Sequence, residues 1–329
     1  MTYSIDARSN LELFTMKSPI RLWFSCLCLA TCSISNADDP PGQRDRMSPL
    51  RQDNLVAWCI VPFDAAERGP TARAHMLQEL GIRRCAYDWR EKHVPTFEQE
   101  IIEYRKHGIE FFAFWGIHED ACRLFEKHDL HPQIWCVLGT PENGTDEEMV
   151  DQSVAEILQH AERTKLLGCK LGLYNHGGWQ GEPDNLVAVC RKLRSLGHDH
   201  VGIVYNFHHG HDHIDDWAES FELMQPYLHC LNLNGMNDNA QPKILGISKG
   251  THDREMIRVV IDSDYDGPIG ILDHRLELDS LDSLRENMEG VHWLEREFKT
   301  PGSGGSKPVT PKPLAQKNAA SGHSASRSN

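Results

Sequence analysis

An α/β fold closed into a (β/α)8 TIM barrel is what this sequence predicts, on three observations. Short apolar runs rich in Val, Ile, Phe, Trp and Cys alternate with longer amphipathic stretches. The apolar runs number eight. All of them fit between residues 54 and 300, and such barrels use about 250 residues as one domain. Near-continuous apolar strands separated by helices describe a parallel sheet covered on both faces. Eight repeats of that unit suit a closed barrel better than an open doubly wound sheet, which is the alternative.

In chain order the strand candidates are Leu55–Val61, Arg84–Asp88, Glu110–Trp115, Gln133–Leu138, Lys170–Tyr174, Gly202–Asn206, Cys230–Leu233 and Ile269–Leu272. The stretches between them carry helical periodicity. In Asp146–Leu167, Val150, Val154, Ile157, Leu158 and Ala161 recur at spacings of three and four. The helix over Leu186–Leu196 runs into Gly197, the residue that most easily takes the left-handed conformation closing a helix.

The flanks differ in kind. From Met16, a Lys- and Arg-bearing start, an apolar stretch from Leu22 to about Cys32 and Ser35-Asn36-Ala37 follow the order of a secretory signal peptide. Residues 1–37 are therefore expected to direct export, periplasmic or extracellular, with Met16 as the expected true start and no membrane span in the mature form. Cys32 leaves a lipoprotein as the alternative. Residues 38–53, rich in Pro, Gly and charge, are expected to be a linker, and 301–329 a disordered tail, because it has too little apolar surface to offset its ordering entropy. The barrel domain is thus placed at 54–300. Three of the ten cysteines fall in the export segment; the remaining seven lack a C-x-x-C spacing and are expected to be buried free thiols.

The formal charge of −14 disfavours nucleic acid and anionic lipid surfaces as partners. It also means that an anionic substrate would require a local cluster of Arg and Lys. In a barrel of this kind the loops after the strands converge, so the chemistry is read at the strand ends. Those ends are Phe63-Asp64, Asp88-Trp89-Arg90, Trp115-Gly116-Ile117-His118, Gly139-Thr140, Asn175-His176-Gly177-Gly178-Trp179, Asn206-Phe207-His208-His209, Asn232-Leu233-Asn234 and Asp273-His274-Arg275. Polar, aromatic and titratable groups gather on this rim alone, which predicts an active mouth.

Four consecutive ends, Asn175-His-Gly-Gly, Asn206-Phe-His-His, Asn232-Leu-Asn-Gly and the Gly267–Asp273 strand, resemble the xylose-isomerase-like sugar phosphate isomerase/epimerase superfamily over residues 54–297. The resemblance implies a divalent metal held by acids after the fifth, sixth and eighth strands and a His after the seventh. Those places carry Tyr174, Asn206, Asn232 and Asp273 here, so only one acid is kept, along with His176 and His209 from the family pattern. Hard cations prefer anionic oxygen, so Mg²⁺ or Mn²⁺ would be weakened by this set. Two readings stay open: a His-rich site for an ion such as Zn²⁺, with His176, His209 and Asp273 as its ligands, or a metal-free site.

The resemblance implies proton transfer next to a carbonyl of a small-molecule sugar, neutral or keto rather than necessarily phosphorylated, by an isomerase, an epimerase or a related lyase. His209, Asp273 and His176 are the expected catalytic groups. Asp88, Arg90, Asn175, Asn206, His208, Asn232, Asn234, Trp115 and Trp179 are the expected substrate contacts, since amides donate and accept without charge and Trp stacks on sugar faces. Asp88 and Arg90 are alternatively a rim ion pair, and His211 and His213 are expected to lie further out. Lys249 is expected in an ordinary loop rather than on a phosphate. No nucleotide cofactor is expected. A non-catalytic carbohydrate-binding barrel that has lost the family's metal site is the alternative function.

Overall fold

The structure, a computed structural model, describes residues 48–309. Eight parallel strands close into a barrel in sequence order: β1 (Leu55–Trp58), β2 (Arg84–Tyr87), β3 (Glu110–Trp115), β4 (Gln133–Val137), β5 (Leu171–Tyr174), β6 (Val201–Asn206), β7 (Leu228–Leu233) and β8 (Ile269–Leu272), with β8 pairing back onto β1. Every predicted strand is present, β3 and β8 with the predicted bounds and the others shifted by a few residues at an end. Eight helices cover the barrel: α1 (Pro70–Leu80), α2 (Phe97–Lys106), α3 (Glu119–His128), α4 (Asp146–Leu166), α5 (Pro183–Ser195), α6 (Trp217–Met224), α7 (Asp253–Asp262) and α8 (Ser280–Lys299). None of the described helices is long and apolar enough to cross a membrane.

Two cores follow from the period of two along each strand. Leu55 and Ala57, Ile134 and Cys136, Leu171 and Leu173, and Ile269 and Ile271 face the helices. Val56, Trp58, Trp135, Tyr174, Val204, Cys230 and Leu272 fill the barrel interior. The interior is dense with aromatics: Trp58 meets Trp135 edge-on at 4.8 Å, and Trp115 meets Tyr174 edge-on at 4.8 Å. Gly172 makes room for this packing, since a Cβ there would lie 2.5 Å from Val204 Cγ2 and 2.9 Å from Trp135 Cδ1. Helix α4 starts at Thr145, whose hydroxyl and the Glu148 carboxylate cap each other's backbone amides.

The packed region reaches beyond 54–300 on both sides. Ser48–Leu50 and Gln52–Asn54 are 3-10 turns rather than open linker. Leu50 is buried, and Asn54 Nδ2 donates to the carbonyls of Pro49 and Gly267. Past α8, the Gly302 and Gly304 amides donate to the Glu297 carboxylate, and Lys307 Nζ donates to the Gly250 carbonyl. Composition weighs apolar burial and misses such backbone capture by a carboxylate. The export segment, residues 38–47 of the expected linker and residues 310–329 of the expected tail lie outside the described residues. All seven cysteines of the described residues are buried free thiols.

Candidate active site at the barrel mouth

The rim formed by the strand C-termini gathers two carboxyl groups and four imidazoles. Asp88, just past β2, is fully buried; its Oδ1 accepts from the Val61 amide while Oδ2 has no partner. Burial pushes its carboxyl up to about 7, against the opposing pull of Arg90. Asp273, just past β8, is also fully buried. Its Oδ2 accepts from Ser280 Oγ at 2.6 Å at the start of α8, and its Oδ1 has no partner. Burial pushes it up to about 7 as well, over the hydrogen bonds from Ser280 and Ser283. Between them lies Cys59, held at φ 63°, a left-handed conformation that a non-glycine residue rarely takes. Burial, then the charges of Asp88 and Asp273, push its thiol well up, so it stays a neutral wall.

The imidazoles come from three strand ends. His176 and His209 lie 4.6 Å apart between ring centres, His209 and His208 3.6 Å, and His208 and His274 5.4 Å. Asn206 caps the 3-10 turn Phe207–His209 by accepting from the His208 amide, which turns both His rings inward. Burial, then the neighbouring imidazoles and Lys243, hold His209 down to about 3 and His208 lower still. Burial and Arg90 lower His274 too. These three rings are therefore neutral donors at neutral pH. Phe63 stands between His274, at 3.8 Å, and the Arg90 guanidinium, at 5.4 Å.

Several expected contacts are spent on the scaffold. Asn175 donates to the Asn206 carbonyl and accepts from the Asn206 amide, tying β5 to β6. Asn206 Nδ2 bonds to the Tyr174 hydroxyl, which also accepts from Trp58 Nε1 at 3.3 Å. Asn234 donates to the Gly235 carbonyl. Asn232 is buried against Gly270, and its Nδ2 has no partner. Trp115 borders the interior aromatics, whereas Trp179 packs against the outer, helix-side core. Trp89 likewise turns outward, edge-on to Phe97. Asp88 and Arg90 form no ion pair: the guanidinium donates to the Asp88 and Trp89 carbonyls.

Further out, His211 bonds to the His208 carbonyl, and His213 pairs with Asp216 and Glu182. Lys249 is buried against Glu286, whose other oxygen takes Arg275, so it anchors its loop to α8.

Among the described residues no three His, Cys, Asp or Glu side chains are arranged to hold a metal ion. His176, His209 and Asp273 are thus not brought together as ligands. One oxygen of Asp273 is committed to the start of α8, while the rings lie tilted or edge-on to one another. The places where the resemblance puts a metal fit one poorly too. Burial pushes the Tyr174 hydroxyl far up, so it stays neutral, and Asn206 and Asn232 are amides. Sequence reasoning gave Cys59, Phe63 and Lys243 no role in the site. Their roles depend on neighbours across the mouth, which no local pattern announces.

No family model and no curated sequence matches this chain. Solved structures do share its fold. The 3-keto-D-glucoside 4-epimerase of E. coli is 14% identical, covers 74% of this chain and 98% of its own, and superposes with a TM-score of 0.52. A probable 3-DHS dehydratase from Bacillus anthracis is 14% identical, covering 72% of this chain and 98% of its own, at 0.56. The zinc-bound IOLI protein is 11% identical, covering 74% and 97%, at 0.55. These solved structures and this chain share the (β/α)8 TIM-barrel fold.

Proposed function

We propose that this protein catalyses proton transfer next to a carbonyl of a carbohydrate, as an isomerase or epimerase does. The observation that carries this reading is the pair of buried carboxyl groups at the mouth. Asp88 and Asp273 each keep one oxygen without a partner, and each is held near pH 7 by burial. A carboxyl poised near the working pH serves either as carboxylate base or as carboxylic acid. One of the two takes the carbon-bound proton and the other, protonated, returns it. The neutral His209 donates a hydrogen bond to the oxygen on which charge develops. This moves acid–base work from His209 to Asp88, because an imidazole held down to about 3 is a weak base. The likeness to sugar epimerases supports the substrate class as analogy.

The test is deuterium exchange. The protein is incubated with 3-keto and ordinary aldo- and keto-sugars in D2O and followed by NMR. Asp88→Asn and Asp273→Asn are expected to slow exchange by about 10²–10⁴-fold, and EDTA to leave it intact. Sugar binding without exchange, in the presence or absence of added Zn²⁺ or Mn²⁺, would establish the non-catalytic barrel instead. Export, proposed from the Met16–Ala37 pattern, is checked by N-terminal sequencing of the mature protein from cell fractions. The buried thiols are compatible with it, since burial keeps them protonated and unreactive.

A further inference from the structure

Two cations, Arg90 and Lys243, stand at the mouth. Arg90 follows β2 and lies against Phe63, with its charge bearing on His274. Lys243 stands in the segment between β7 and α7. Its neighbour Ile244 packs against the interior aromatics, which sets Lys243 on the rim. The segment is fixed rather than loose: the Gly235 amide bonds to the Leu245 carbonyl, the Ile247 amide to Asn287 Oδ1, and Lys249 to Glu286. Lys243 bears on His208, His209, His211 and His274 at once.

Neither cation has a carboxylate within ion-pair distance among the described residues. Beneath them, Nδ1 of His208 and of His274 are buried without partners. Asp88 and Asp273 do not neutralise this rim, being buried deeper and near half-protonated at pH 7.

We infer that the substrate carries an anionic group, a carboxylate or a phosphate, seated between Arg90 and Lys243 with the His208 and His274 rings as hydrogen-bond donors. The inference rests on the proposed proton-transfer site and narrows its substrate from a neutral sugar to an acidic one. Two cations without a carboxylate repel one another until an anion enters, and charge-assisted hydrogen bonds then form at Lys243 and at the Arg90 N–H groups that the Asp88 and Trp89 carbonyls leave open.

The test titrates the full chain with inorganic phosphate, gluconate and, as the uncharged control, glucose, following His ring protons by NMR and binding by calorimetry. Phosphate or gluconate is expected to bind and to shift the His208, His209 and His274 resonances. Phosphate alone would identify a phosphoryl group, gluconate alone a carboxylate. Lys243→Gln and Arg90→Gln are each expected to weaken binding about tenfold or more, while Lys127→Gln, paired with Glu98 far along α3, leaves it unchanged. Both rim side chains are exposed, so these variants fold.

Glucose binding as well as gluconate, no anion binding, or anion binding indifferent to both variants overturns the inference. Deuterium exchange separates it from the parent reading. Exchange on neutral sugars as fast as on their acids sinks the anionic seat alone, and anion binding with no exchange on any sugar acid or phosphate sinks the proton transfer alone.

Discussion

Asp273→Asn should make the protein more resistant to unfolding at pH 8 than at pH 4, relative to wild type. In the folded state burial raises the Asp273 carboxyl from 3.8 to about 7. Between those values the folded protein holds a proton that the unfolded chain has lost, so stability falls as pH rises through this window and levels off above it. The difference amounts to about 4 kcal/mol at most for this one group. Asn removes the ionisation but keeps an oxygen to accept from Ser280 Oγ. The penalty therefore vanishes while the contact stays. For a domain of this size that gain corresponds to roughly 8–16 °C in Tm, absent at pH 4 and complete by pH 8.

The lowered His residues act with the opposite sign. They remain neutral when folded but protonate when unfolded, so they cost stability as pH falls below 6.5. Both proteins share that term, and subtracting one melting curve from the other removes it. Thermal unfolding followed by circular dichroism at half-unit pH steps is the assay. A Tm difference that does not change with pH would show that Asp273 titrates normally and would refute the argument from burial.

Glu286→Gln strips the shared partner from Lys249 and Arg275 in a buried cluster and should cost about 3–5 kcal/mol in urea unfolding; a loss under 1 kcal/mol would mean that water reaches the two cations. Tyr174→Phe leaves the Trp58 indole N–H and the Asn206 amide without their shared acceptor and should cost about 1–3 kcal/mol. Unchanged stability there would mean that the two donors find other partners.

Much of the fold was legible because it follows from local pattern. Strand β3, Glu110–Trp115, and β8, Ile269–Leu272, have the bounds that their apolar runs suggested, and α4 begins at the predicted Asp146, capped by Thr145. Strands buried on both faces and helices with one apolar face announce themselves residue by residue. The site was legible only as a rim. Asn175 and Asn206 stand at strand ends as expected, yet each satisfies its neighbour's backbone because adjacent parallel strands bring them within bonding distance. Asp273 and His209 stand at strand ends as the sequence places them, and among the described residues they join no three-residue ligand group.

The amino-acid sequence by itself determined the eight strand–helix units, the closed barrel and the end at which polar groups collect. Only the tertiary structure decided which of those groups are free to act. It closed Trp58, Trp135 and Tyr174 over the interior, left one oxygen each on Asp88 and Asp273 unpaired, and brought the charges of Arg90 and Lys243 to bear on His274. The physical reason is that secondary structure answers to neighbours a few residues away. The charge state and hydrogen-bond partner of a side chain answer to whatever the closed barrel packs beside it.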